Sequence, residues 1–512
     1  MLPYLQEVQN ASKKYSVVFR GLNYGEGTQD GEFAETYNLS TDQYPCITQR
    51  AARIEAGQYA KPTTLHAKGK LLVIDGTDVI YGDNKVGEVT EGKKQTATIG
   101  NYIVIFPDKK YYKVPTEDDQ DGEFGSMEET YKATGLKFTA STISKEGASF
   151  PFREGDAVTI TGCSNNGNNK TAEILIRAVT SDELTFDDNA FTAVENEANE
   201  VTISRTVPDL DFICESNYRL WGTHGNTIYS SKFSDPFNFQ VFDNLASDSY
   251  AIEVGSEGEF TGCIPYSSHI CFFKENTLHK LYGTKPSNFQ ITTVNVYGVQ
   301  SGSEKSMQIV NEQLLYKGVG GVYAYTGGVP ELISEKFGNK RYSEAVACCD
   351  GEKYYISMKQ GDTWNMLTYD VMKNIWLRED DTHAVDMTFY DGKVYYLDAT
   401  GGLYYIDKTA DRGGIEWGAT FCTMHETMNE RKGYSKFHLR MDLSAGAWLA
   451  VDIKTDNDLK WRQVYTTHNE KAKTVSIPII PTRCDSIDIR LRGKGKCTIK
   501  AFIREFTVGS DV

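Results

Sequence analysis

The stretch Ser357-Met358-Lys359-Gln360-Gly361-Asp362-Thr363-Trp364 resembles the Asp-box turn of sialidase-type propellers, S-x-D-x-G-x-T-W, with Lys359 in the aspartate's place. That box is a structural turn, so it carries no chemistry by itself. Glycoside hydrolysis of that kind also needs a cluster of arginines and a carboxylate with a tyrosine. Arg20, Arg50, Arg53, Arg205, Arg219, Arg341, Arg378 and Arg412 are the candidates, and their spacing sorts them into no cluster. Asp187-Asp188-Asn189 and Asp456-Asn457-Asp458 could hold a cation, but they lack the glycine and distal glutamate of an EF-hand loop and read as solvated turns. Trp461, just after the second turn, reads as an anchor of the sandwich, where exposed aromatics could also bind sugar. The eight His are scattered, with no pair at metal-ligand spacing. No P-loop, dinucleotide fingerprint, H-E-x-x-H or G-x-S-x-G motif is present. The residues thus name no catalytic, metal or cofactor site, and the expectation is a non-enzyme without a cofactor.

The elements that would position any site are strands. Tyr 31, Phe 24 and Gly 45 favour pleated sheets joined by tight turns. Seven Tyr-rich hairpins recur, starting at Gly69, Gly100, Asn217, His269, Glu312, Glu352 and Asp391. Steps of about 40 residues between the later ones are the mark of propeller blades. The expected fold is all-β: a β-propeller of six or seven blades, an inserted small β-barrel and a C-terminal β-sandwich. The insertion fills the long gap after the second hairpin, and an acidic stretch from Thr116 to Glu129 reads as an exposed connector before it. Boundaries follow: 1–133 for an N-terminal arm and first blades, 134–206 for the barrel, 207–415 for the remaining blades, 416–512 for the sandwich. In the last, Ile487, Ile489 and Leu491 alternate with Asp488 and Arg490. Trp221 and Trp376 read as core. Only Leu5–Tyr15 and Glu335–Ala347 carry modest helical signals.

The 512 residues hold 54 Lys+Arg against 70 Asp+Glu, a net charge of −16. That argues against gripping nucleic acid or an anionic membrane. No apolar run is long enough to span a bilayer, and MLPYLQEVQNASKKYS does not read as a signal peptide. Ten Cys without a C-x-x-C pair read as buried reduced thiols. The adjacent Cys348 and Cys349 should point to opposite faces of one strand.

Three stretches resemble a known family. They are Gly31-Glu32 through Asn38-Leu39-Ser40 with Tyr44-Pro45 and Arg50; Asn217-Tyr218-Arg219-Leu220-Trp221 through Ile228-Tyr229-Ser230-Ser231 with Asp235-Pro236-Phe237-Asn238-Phe239; and Lys500-Ala501-Phe502-Ile503-Arg504-Glu505-Phe506. With the blade spacing, their order is similar to that of the packaged-DNA stabilisation proteins of short-tailed bacteriophages. Those form the tail hub, or nozzle, below the portal and adaptor. The resemblance implies a β-propeller with a C-terminal sandwich, assembled as a homo-hexameric ring in the virion tail after synthesis in the host cytoplasm. Its implied partners are further copies of itself, portal, adaptor and other tail proteins, and viral double-stranded DNA passing without tight binding. The inserted barrel departs from the compact members. The family brings no catalytic residues. The alternatives are a carbohydrate- or receptor-binding tail protein acting through the sandwich, or a propeller glycosidase.

Overall fold

The computed structural model describes residues 11–508 except 118, 411–413, 427–429, 457, 472 and 481–482. Two compact units result: Met1–Tyr59 with Lys305–Val512, and Ala60–Glu304. Among the described residues there is no α-helix, only strands and short 3-10 turns.

Each of the seven expected hairpins is the central strand pair of a four-stranded antiparallel meander, the unit of a β-propeller. The second unit holds four such blades. Their first strands are Pro62–Lys68, Gln95–Ile99, Phe212–Ser216 and Phe260–Tyr266, which lie side by side in that order. The first unit holds three more, starting at Gln308–Val310, Ala345–Cys349 and Ala384–Tyr390, again side by side. The alternation that makes the hairpins legible also makes them pack. In the sixth blade Tyr354 and Ile356 are buried against Leu367 and Trp376, and Trp376 stacks on Tyr369 with ring centroids 4.7 Å apart. The last blade is closed by a strand from far away, Ala52–Gln58, which pairs with Gly402–Asp407.

The inserted module begins earlier than expected. Its first strand, Glu129–Ala133, pairs with its last, Val201–Arg205. It is two four-stranded sheets around a core of Phe138, Val158, Ile160, Leu184, Val201 and Ile203, not one closed barrel. The acidic stretch before it is only partly connector, because Glu123–Ser126 is the outer strand of the second blade. The first strands of the second and third blades stay adjacent across the insertion, so the blade order is uninterrupted.

The D-P-x-x-F turn latches the module to the third blade. Asn238 is buried; its Oδ1 accepts from the Ala157 amide at 3.1 Å, and its Nδ2 donates to Asp156 at 2.9 Å and Asp235 at 2.6 Å. Arg205 donates to Asp156 at 2.6 Å and lies over the Phe237 ring at 5.5 Å.

The sandwich is larger than residues 416–512. A seven-stranded sheet carries Lys432–Leu443 and Cys497–Val508, joined by Ser12–Ser16, Leu39–Ser40 and Ile47–Gln49. The facing six-stranded sheet runs Gly21–Leu22, Glu32–Tyr37, Glu416–Phe421, Ile487–Lys494, Trp448–Thr455, Arg462–Thr467. Phe33, Phe421, Phe437, Leu449, Ile489, Leu491 and Phe502 fill the space between. The N-terminal arm is therefore part of the sandwich rather than of the first blades.

Neither helical expectation holds among the described residues. Ser12–Ser16 is a strand held against Phe502–Phe506, and Leu5 to Asn10 lie outside the described residues. Glu335–Phe337 is one 3-10 turn, and Ala345–Cys349 pairs with the next strand. Weak helical propensity loses to ladder pairing and burial. Eight of the ten cysteines are buried; Cys348 is buried and Cys349 half-buried, as alternating faces require.

Trp376 donates its indole N–H to the Ile333 carbonyl at 2.9 Å and is 2% exposed. Trp376→Ala is expected to cost about 3–5 kcal/mol in denaturant unfolding. Asn238→Ala, which takes one donor from Asp156 and the acceptor from the Ala157 amide, is expected to cost about 1–3 kcal/mol. Limited proteolysis should then cut first between 129 and 205, while the blades stay resistant.

Candidate functional site

The arginines do not converge on one site. Arg50 donates to Asn38 at 2.6 Å, while Arg53 donates to Glu379 at 2.7 Å and pairs with Asp380 at 2.6 Å. Arg219 is fully buried and donates to the carbonyls of Ser231, Ala246 and Asp248. Arg378 donates to Asn365 at 2.7 Å and Arg341 to the Gly338 carbonyl at 3.0 Å. Arg20 is exposed, and Arg412 lies outside the described residues. Apart from Arg50 beside Arg53, the guanidinia of Arg205, Arg219, Arg341 and Arg378 each have different partners.

The box-like stretch is the hairpin of the sixth blade, with Gln360 facing Thr363 across the turn. Lys359, in the aspartate's place, pairs with Glu344 at 2.9 Å, and Trp364 stacks on His383 at 3.8 Å. Asp187 pairs with Arg177 at 2.8 Å, and Asp456 accepts the amides of Asp485 and Ser486. Both aspartate runs are turns, as expected, although Asn457 lies outside the described residues. Among the described residues no three His, Cys, Asp or Glu come together as a metal set.

What sequence reading missed is a trough on the outer face of the six-stranded sheet. Alternation sends Leu449, Val451, Ile489 and Leu491 inward and Trp448, Asp452, Arg490 and Arg492 outward. Register then aligns them across strands. Tyr37 faces Gly418, which faces Arg492, which faces Ala450. In the next row Glu35, Thr420, Arg490, Asp452 and Gln463 run across five strands. Glu416, Lys494 and Trp448 make a third row. The resulting hollow is about 380 Å³.

The electrostatic centre of this face is Asp452, which is 1% exposed. Its carboxylate accepts Arg490 Nε at 3.0 Å and Nη2 at 2.8 Å, and Arg492 Nε at 2.7 Å and Nη2 at 3.3 Å. Burial alone would raise its pKa, but the hydrogen bonds from Arg492 and Arg490 and their charges outweigh it and hold the carboxyl below the usual range. Arg492 also donates to Gln463 at 2.7 Å and lies 5.7 Å over Trp448. Trp461, expected to anchor the sandwich, lies on this outer face, with Lys454 at 4.9 Å and Arg490 at 4.5 Å over its ring. It follows a turn and enters the sheet on the solvent side, so cation contacts replace burial. Arg490 was visible in the alternating stretch; Tyr37 and Gly418, which line the same hollow, come from strands whose pairing no local pattern announces.

Because the folded pKa of Asp452 is lowered, its contribution is complete above the unfolded value of about 3.9 and is lost as pH falls below it. Asp452→Asn is expected to cost about 1–3 kcal/mol, constant from about pH 8 to 5. Paired denaturation curves should show the difference shrinking only below about pH 4.

No protein-family model matches the chain, and no curated protein does. Among solved structures it is similar to BamB from Moraxella catarrhalis, at 12% identity over 71% of this chain and 98% of that one, with a TM-score of 0.36. It is similar also to the N-terminal domain of Nup159, at 8% identity over 76% of this chain and 98% of that one, TM-score 0.26. A third likeness is to the phage phi92 endosialidase, at 12% identity over 78% of this chain and 70% of that one, TM-score 0.25.

Proposed function

We propose that this chain is a structural virion protein, a tail-hub or nozzle component that lines part of the DNA channel below the portal and adaptor and retains packaged DNA until ejection. The observation that carries the reading is the order of pieces along the chain. An N-terminal arm carrying Gly31 to Arg50 is followed by blades with the D-P-x-x-F turn, then by a terminal sandwich that the arm completes. That is the order of the family it resembles. The reading assigns no catalytic residue and makes assembly the activity.

The physics of the role is consistent with the composition. A duplex must slide through a conduit, so the wall must not hold phosphates; a net charge of −16 disfavours capture. A closed ring requires a heterologous contact that returns on itself after a fixed rotation. Blades with rigid β cores are suited to such a wedge. The D-P-x-x-F latch holds the inserted module on the third blade, and the proposal gives that module the contact with a neighbouring tail protein or another copy.

The test is imaging of virions from a phage encoding this chain, with cross-linking of its copies. The expected result is a six-fold ring on the tail axis, in contact with portal or adaptor proteins. Isolated protein should bind duplex DNA no tighter than about 10⁻⁴ M at about 150 mM salt, the weak end of non-specific binding. A single copy at a fibre tip, or tight duplex binding, would overturn the proposal.

A further inference from the structure

We infer that the trough on the six-stranded sheet is a binding site for a saccharide carrying a carboxylate, of the hexuronic or nonulosonic acid class. The inference does not rest on the tail-hub reading.

Three features point to a ligand. The first is the missing floor. Gly418 sits between Tyr37 and Arg492, and a Cβ there would meet only the Leu491 carbonyl, at 3.5 Å. Backbone geometry does not demand a glycine at that position, since its φ is not in the left-handed region. The absent side chain leaves space in the hollow rather than relieving a clash. Gly493 differs: a Cβ there would strike the Trp417 ring at 2.5 Å, so that glycine is explained by packing.

The second is the aromatic pair at the rims. Tyr37 is 39% exposed and Trp448 half-buried, and both line the hollow. One face of a pyranose is a patch of C–H groups, which an aromatic face covers with little entropy cost because the ring is already fixed. Trp448 is held in place by Arg492 over its ring.

The third is the arginine wall. Asp452 takes Nε and Nη2 of both guanidinia, and Gln463 takes a further donor from Arg492. The planes are thereby fixed before any ligand arrives. The Nη1 groups have no protein acceptor among the described residues, and an arginine carries five donors. One carboxylate between two guanidinia leaves one positive charge on this wall; Glu35, which also lines the hollow, carries a negative charge that lies in the field of Lys340. Glu416 is neutralised by Lys494 at 3.6 Å. A preorganised arginine fork matches a carboxylate in the bidentate manner, whereas neutral hydroxyls would leave that charge unmatched. Glu35 and Thr420, on the row beside Arg490, supply acceptors for sugar hydroxyls. The volume of about 380 Å³ fits one or two sugar rings rather than an extended peptide.

The test uses the full chain with methyl glucuronide and the methyl glycoside of N-acetylneuraminic acid as probes, and methyl glucoside as the neutral control, followed by saturation-transfer NMR and titration. At least one acidic sugar should bind with a Kd of about 1 mM or better, and the neutral one at least about tenfold more weakly. Gly418→Leu fills the floor while leaving the Asp452 clamp intact; it should weaken binding by about tenfold or more without lowering Tm by more than about 3 °C. Arg492→Gln should remove the preference for the acid. Absence of binding by both acidic sugars at about 20 mM, equal binding of the glucoside, or unchanged binding in Gly418→Leu would overturn the inference. Binding of an acidic peptide in the trough in place of either sugar would overturn it as well.

Discussion

The strand Ala52–Gln58 reaches across the sequence to pair with Gly402–Asp407, with Gln58 donating to the Thr400 carbonyl 342 positions away. Without it the last blade would have three strands and an open edge of unpaired N–H and C=O groups, a template for aggregation. The same segment of chain has already supplied strands to both sandwich sheets. Glu32–Tyr37 lies against Glu416–Phe421, and Ile47–Gln49 against Thr498 and Ile499. One stretch of about forty residues thus ties the sandwich and the last blade together within the first unit. Loop-closure cost grows only with the logarithm of length, so joining such distant strands costs modestly in entropy. It does require that they find each other, which makes register the thing to be specified.

Buried charges stand where register is set. Arg504, fully buried, joins Glu426 at 2.5 Å, Asp30 at 2.7 Å and the Ser16 hydroxyl at 2.7 Å, so one side chain fixes two N-terminal segments against the C-terminal strand. Arg53 with Glu379 and Asp380 does the same for the closing strand, and Lys353 with Asp42 for the arm. Arg205 with Asp156 lies at the root of the inserted module. Desolvation cancels much of the attraction in such pairs, so they add little net stability compared with apolar groups of like size. A slip by one residue would leave each of them buried and unmatched, at several kcal/mol apiece. Their value is that wrong pairings are excluded.

This division explains what was readable from the residues alone. The seven hairpins were legible because both strands and their turn fit within about 20 residues, and alternation with Gly, Asn or Asp turns is a local signal. The two edge strands of each blade were less so. Gln308–Val310 is three residues long, and Glu331–Leu332 only two. Their assignment comes from the neighbours they pair with. The N-terminal arm was misplaced for the same reason: its strands are short, and their partners lie hundreds of residues away. The alternation of Ile487, Ile489 and Leu491 announced a half-buried strand and put Arg490 on its outer side. Nothing local could announce that Tyr37 and Gly418 would share its face. Nor could the sequence announce that cations, Lys454 and Arg490, would cover the ring of Trp461.

The trough shows how a site can arise on a sheet face with little cost to the fold. The inward residues of its strands do the folding, and their outward neighbours are free to carry chemistry. Arg490 and Arg492 would repel each other on adjacent outward positions if left alone. Asp452, directly opposite Arg490 in the ladder, resolves that repulsion and fixes both planes. The clamp is thus needed for the sheet itself, and the orientation of the remaining donors follows from it. Recognition of a carboxylate then adds one requirement, that nothing fill the space in front. A glycine at position 418, where packing would accept a larger residue, meets it.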